Sequence, residues 1–255
     1  MNYTLKKSIF NLCIFCICAF ITAAGYSQQL SPEEILDKVD KNMVAETVIS
    51  SSKMVIHQKN RVDEKEMRIW GKGDKTSFVE FVSPARDKGT KYLRIDNNLW
   101  MFLPNIEETV KISGHLLRQS MMGSDFSYED SMNRLSLREK YDSVLLEDQT
   151  FNEKLCYVIE LTANQKDVTY YRRKVWVDKE QFVPLKSELY ANTGKLMKEM
   201  TVQKIEIIGG KNYPTHMIMR DMLRKNSYTE LIMTDVQFDV DIPDNIFTLR
   251  NLERR

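Results

Sequence analysis

Cysteine is nearly absent from the working part of this chain. Of four cysteines, Cys13, Cys16 and Cys18 fall in the first 27 residues, which leaves Cys156 alone. A lone thiol makes no internal disulfide, so stability must come from an ordinary core. The roughly 230 residues that follow are enough to build one. Histidine is limited to His57, His115 and His216, far apart in sequence and in no metal-ligand spacing, so no metal site is expected. No glycine-rich loop suited to cradling a phosphate occurs. Gly123–Ser127 reads GSDFS, with Asp125 where a nucleophile elbow needs serine. No apolar run beyond residue 27 is long enough to cross a bilayer. Internal repeats and low-complexity tracts are missing too. Charge is balanced, 37 basic against 36 acidic residues. A near-neutral chain gives no case for nucleic acid or for general attraction to anionic membranes.

The first 27 residues read as a secretory signal peptide. Lys6 and Lys7 precede the apolar run Ile9–Thr22, and Ala23, Ala24, Gly25 and Ser27 are small residues suited to cleavage. Leu12, Phe15 and Ile17 precede the three cysteines, whereas a lipoprotein signal needs a small residue there. Residues 28–255 are then a single domain, with 35 basic and 36 acidic residues. Ser31-Pro32-Glu33-Glu34 is a helix start with the capping-box pattern, and Ile35, Leu36, Val39 and Met43 follow at helical spacing. From Val48 onward the pattern is strand and turn. Gly71–Asp74, Asn192–Gly194, Gly209–Asn212 and Lys225–Ser227 mark turns, and such short links imply an antiparallel meander. Leu155, Tyr157, Ile159 and Leu161 alternate onto one face, with charged or small residues opposite, so one side of the sheet should meet water. Roughly eleven strands is too many for a flat sheet, which must curl. The expected fold is mainly β with a few helices: an incomplete, half-open antiparallel barrel with helices covering its concave face. Ile246, Phe247 and Leu249 are expected to anchor the tail on the sheet.

The organising stretch is Thr90–Asp130. Lys91–Asp96 and Leu99–Leu103 flank Asn97-Asn98, a pair that tolerates a tight turn. Folding there opposes Ile95 to Trp100 and Leu93 to Phe102, placing all four on one apolar face. Val110 and Ile112 extend the surface from a third strand. Gly114–Met122 then interrupts the strands with Leu116, Leu117, Met121 and Met122. Methionine is flexible and polarizable and recurs on surfaces that accept varied apolar shapes. A large sheet face under a movable apolar cover suits acyl chains, which demand area rather than polar groups. The candidate cavity lining is Leu93, Ile95, Trp100, Phe102, Val110 and Ile112, with Leu117, Met121, Met122 and Phe126 from the cover; Arg94 is a candidate headgroup contact. Asp125, Glu129 and Asp130 could serve acid–base chemistry. The pattern Ser127-Tyr128-Glu129-Asp130 instead suits a helix start, and no base, nucleophile or oxyanion group accompanies the acids.

The phrases LWMFLP, VKISG and QSMMGSDFSYED resemble the outer-membrane lipoprotein-sorting family, relatives of the periplasmic carrier LolA, from about Val55 to the C-terminus. The resemblance implies an unclosed barrel with helices over its mouth, a periplasmic location, no cofactor, and a non-enzymatic role. It also implies an acylated lipoprotein or lipid as cargo, received from an inner-membrane exporter and passed to an outer-membrane acceptor. The MMGSDFSYED segment marks the sorting-protein branch, whose members are often linked to lipid exporters. Two rivals stand beside the carrier: an interaction module with a filled core, and a hydrolase using Asp125 or Glu129.

Overall fold

The capping box dictates where the chain first becomes regular. In the computed structural model, which describes residues 29–132, 140–166 and 168–254, Ser31 Oγ accepts the Glu34 N–H at 3.1 Å. Glu34 in turn accepts the Ser31 N–H at 2.8 Å. Pro32 fills the first turn, and α1 (Pro32–Met43) buries Ile35, Leu36 and Val39. The expected signal peptide lies outside the described residues. The described residues from Ser31 to Arg254 form one compact unit.

Among the described residues thirteen strands follow, where roughly eleven were expected: β1 (Thr47–Gln58), β2 (Arg61–Lys72), β3 (Thr76–Ser83), β4 (Lys91–Ile95), β5 (Asn98–Leu103), β6 (Glu108–Ile112), β7 (Tyr141–Phe151), β8 (Lys154–Ala163), β9 (Arg172–Asp178), β10 (Pro184–Tyr190), β11 (Leu196–Ile208), β12 (Lys211–Asp221) and β13 (Tyr228–Phe238). All pairings are antiparallel, in the order β6-β5-β4-β3-β2-β1-β13-β12-β11-β10-β9-β8-β7. The first strand thus closes against the last, and β6 and β7 are left as edges that do not pair with each other. That is the half-open arrangement expected for a curled meander. The one long break, between β6 and β7, carries α2 (Tyr128–Met132).

Directly opposed residues share a face, so register defines the two surfaces. One row runs Ser50, Ile69, Val79, Tyr92, Met101, Val110 across β1 to β6. On the same face, the other half of the sheet carries Ile56, Thr229, Met219, Met200, Ser187, Val175, Ile159 from β1 to β8. This is the inner face. α1 packs on it against β12 and β7, with Ser143 of β7 donating to Glu33. The opposite row runs Ile49, Trp70, Phe78, Leu93, Trp100, Lys111 and belongs to the outer face.

The outer face does not simply meet water. At the β1–β6 end it is covered by the tail, whose Ile242, Phe247 and Leu252 are buried with Phe78, Leu93 and Phe102. The tail runs through a 3-10 turn, Asp244–Phe247, into α3 (Leu249–Leu252), and Lys91 Nζ donates to the Arg254 carbonyl. Leu249, an expected anchor, is exposed; Leu252, one turn on, takes that place. Near the other edge a second outer cluster holds Cys156, Val158 and Trp176. The expectation of one wetted face fails because Cys156 and Val158 sit between the inward residues Tyr157, Ile159 and Leu161. In sequence they pass for small spacers.

Candidate functional site

Residues 113–132, which follow β6, form a strap laid over the inner face. It opens with a 3-10 turn, Gly114–Arg118, and then folds back on itself. Ser120 and Ser127 bridge, and the Met121 N–H donates to the Phe126 carbonyl at 2.8 Å. The reversal needs positive φ at Met122 (52°) and Gly123 (84°), the second of which only glycine adopts at little cost. Leu116, Leu117, Met121 and Met122 pack against the buried cluster formed by Met54, Ile56, Met67, Ile69, Phe81 and Tyr92. Nine of the 14 methionines meet there: Met54, Met67, Met132 and Met219 buried, with Met101, Met121, Met122, Met200 and Met217 partly buried around them.

Polar groups pin the far end of the strap. Asp125 is 1% exposed. Its Oδ2 accepts from Ser227 Oγ (2.9 Å) and Thr229 Oγ1 (2.7 Å), and its Oδ1 from the Asp221 N–H (3.3 Å). Lys198 Nζ donates to the Asp125 carbonyl (2.8 Å) and to Asp130 Oδ2 (2.6 Å). Arg224 Nη1 holds the Ser124 carbonyl at 2.8 Å. Tyr170 donates to Asp130 Oδ1 at 2.9 Å, and burial, with Asp130 beside it, raises the phenol above its usual range. Asp130 is also the reciprocal partner of Ser127 at the start of α2, its Oδ2 2.7 Å from the Ser127 nitrogen. The helix-start reading therefore holds for Asp130. Asp125 is instead a buried tie to the β12–β13 turn. Glu129 accepts from Thr169 Oγ1. Both Asp125 oxygens are engaged by donors that fix the backbone, an arrangement that secures a loop.

The structure separates the candidate lining into two groups. Val110, Ile112, Leu117, Met121, Met122 and Phe126 come together in the inner, methionine-rich cluster. Leu93, Ile95, Trp100 and Phe102 do share one face, but it is the outer one, under the tail. The residues of the hairpin that meet the strap are those of its opposite face: Tyr92, Leu99 and Met101. The hairpin turns at Asp96-Asn97, with Asp96 at φ 53° and Ile95 opposite Asn98. That slides the expected pairing by two residues, which keeps every side chain on its face. The misplacement comes from which face the rest of the chain covers. Arg94 is engaged elsewhere: it donates to the Asp74 carbonyl (2.9 Å) and the Asp96 carbonyl (3.0 Å), tying two turns together.

Lys198, Thr229 and Ser227 had no local signal in the sequence, since their partners lie 68 to 104 residues away. The sheet also joins two histidines that the sequence separates. On the outer face, His57 Nε2 and His216 Nε2 approach the two oxygens of Glu230 at 2.8 and 2.7 Å. Burial would raise Glu230, but these hydrogen bonds outweigh it and hold the carboxyl below its usual value. Among the described residues no group of three His, Cys, Asp or Glu side chains is arranged to hold a metal, and no helix is long and apolar enough to cross a membrane.

Comparison with known proteins agrees with this architecture. The model of a family described as uncharacterized proteins matches residues 73–254. No curated protein matches the sequence. Among solved structures, a DUF1329 family protein from Desulfovibrio piger is 26% identical and covers 86% of this chain and 96% of its own, with a TM-score of 0.81. A putative outer membrane lipoprotein-sorting protein domain from Vibrio parahaemolyticus is 27% identical over 82% of this chain and 92% of its own, TM-score 0.75. A LolA superfamily protein from Nitrosomonas europaea is 26% identical over 87% of this chain and 99% of its own, TM-score 0.74.

Proposed function

Because the chain belongs to that family of uncharacterized proteins and has the LolA-like fold, we propose that it is a periplasmic carrier. In this reading it holds the acyl chains of a lipoprotein or lipid between its inner sheet face and the strap, and delivers them toward the outer membrane. The observation that carries the proposal is the gathering of nine methionines where a segment that interrupts the sheet meets its inner face, three on that segment (Met121, Met122 and Met132) and six on strands. Met side chains adapt to irregular apolar shapes, so a strap seated on them can part from the floor and close again on an acyl chain. The pinned Asp125 end would stay fixed while the Leu116–Met122 end moves. The protein is then non-enzymatic and works without a cofactor, since burial of apolar area supplies the driving force. An inner-membrane exporter as donor and an outer-membrane protein as acceptor complete the route.

Native mass spectrometry of the protein isolated from its envelope fraction without detergent tests this. Co-isolated lipid or acylated peptide, lost on organic extraction and regained on incubation with vesicles, is the expected result. A protein that emerges empty and takes up no acyl ligand is a filled-core interaction module, and the carrier proposal falls.

A further inference from the structure

β1 lies between β2 and β13, and its inner face reads Ser50, Ser52, Met54, Ile56. Ser50 is opposite Ile69; Ser52 sits between Met67 on β2 and Met233 on β13. Two short hydroxyl side chains are thus set among long apolar ones at the border of the methionine-rich cluster. Ser50 is 2% exposed and Ser52 3%, and neither Oγ has a hydrogen-bond partner among the described residues. A buried hydroxyl left without a partner is costly, and a strand interior is better served by a β-branched or aliphatic side chain. Two such hydroxyls, two residues apart and facing the same way, therefore suggest a ligand.

The buried lysines of this face narrow the chemistry next to Ser50 and Ser52. Lys65, opposite Met54 and buried, is committed to Asp87, and Lys198 is committed to Asp130 and the Asp125 carbonyl. The floor beside Ser50 and Ser52 therefore offers O–H donors with the nearby buried cations already spent. A neutral carbonyl oxygen accepts from a hydroxyl without bringing charge into an apolar site, whereas a carboxylate there requires a cation.

We infer that Ser50 and Ser52 form a polar subsite that donates hydrogen bonds to the ester or amide carbonyls joining acyl chains to their headgroup. The preferred ligand is then an ester- or amide-linked acyl lipid rather than a bare hydrocarbon or a free fatty acid. This rests on the carrier reading and adds to it which part of the lipid is recognised. The chains lie over the methionines, and the linkage sits on β1. A membrane glycerolipid and the acylated terminus of a lipoprotein share this carbonyl chemistry.

The test uses the lipid-stripped protein and four probes: dioleoyl phosphatidylglycerol, its ether-linked dialkyl analogue, oleate, and a synthetic diacylated lipopeptide. Affinities are read by displacement of a fluorescent acyl probe. Wild type should bind the diester about tenfold more tightly than the diether, the worth of two neutral hydrogen bonds, and oleate more weakly than the diester. The double variant S50A/S52A should bind the diester at the diether's affinity and leave diether binding unchanged. Its lipid-free thermal midpoint should stay level or rise, since the hydroxyls it loses have no partner to forfeit. Whichever of phosphatidylglycerol and the lipopeptide loses more affinity in the variant identifies the source of the carbonyl, and a loss in either supports the subsite. Equal binding of diester and diether by wild type overturns the subsite while leaving the carrier intact, as does oleate binding as tight as the diester. So do a preference that survives the double substitution and a lipid-free variant that is clearly destabilised, which would mean that the hydroxyls serve the fold. If no probe binds wild type, the carrier reading and the subsite fall together.

Discussion

At the scale of single residues, the buried carboxylates carry the largest consequences. Asp125 accepts from two hydroxyls and a backbone N–H, so removing its charge strands donors that have no water to turn to. Asp125→Ala should cost about 3 kcal/mol of unfolding free energy, whereas Glu129→Gln, at a less buried acid, should change it by under about 0.5 kcal/mol. Urea denaturation of the two variants checks the contrast; similar values for both would deny Asp125 the role of a buried tie. Asp178 predicts a pH dependence. Burial pushes its carboxyl up, but Lys154 at 2.6 Å and the N–H groups of Gln181 and Glu180 outweigh it and hold the carboxyl below its ordinary 3.8. A carboxyl held lower in the folded than in the unfolded state stabilises the fold above the unfolded value, and that contribution disappears as pH falls through the folded value. Asp178→Asn should therefore flatten the loss of stability that wild type shows below about pH 4. Denaturant midpoints at neutral and acid pH give the measurement; parallel acid limbs for the two proteins would deny Asp178 that role.

At the scale of elements, the two covers of the sheet differ in kind. The tail is tied to the outer face of β3–β5 by Ile242, Phe247 and Leu252, and Phe102 is buried beneath it. Phe102→Ala should cost about 3–5 kcal/mol, equally with and without acyl ligand, because the outer face is core. A larger loss in the ligand-bound protein alone would put that face back among the ligand surfaces. The strap instead combines a polar, pinned end with an apolar end of half-buried methionines. Met121→Glu sets a charge against apolar surface and should weaken acyl binding about tenfold or more, a penalty of 1.4 kcal/mol or above, while the circular dichroism spectrum and melting cooperativity stay native. Unchanged acyl affinity in a folded Met121→Glu protein would show that the strap does not border the ligand.

At the scale of the whole molecule, closure of the meander gives the sheet its use. Pairing of β1 with β13 puts the first strand in the middle, so that β1 shares an inner face with strands from both halves of the chain. The strap leaves from β6 and is held by side chains of β11 and β13, and so crosses the floor between. An unclosed sheet can widen without breaking a ladder, as a carrier of bulky acyl groups requires. The edges β6 and β7 are where that freedom resides, because among the described residues neither has a second strand partner to lose.

The sequence alone determined the local structure. The capping box at Ser31–Glu34, the turn residues between strands and the two-residue alternation are encoded within a few positions, and the strands fall close to where alternation places them. It also determined which hairpin side chains travel together: Leu93, Ile95, Trp100 and Phe102 share a face even with the pairing slid by two. Which of two faces becomes the interior was a tertiary decision. Alternation says that one face of a strand is apolar but not what will cover it, and here a tail some 140 residues downstream claimed the more aromatic face. The strap took the face with Tyr92, Leu99 and Met101. The same holds for Asp125 and Lys198, whose partners are brought to them only by the order of strands in the sheet, and for Ser50 and Ser52. In sequence these are two serines of a polar run; folded, they are buried hydroxyls on an apolar floor.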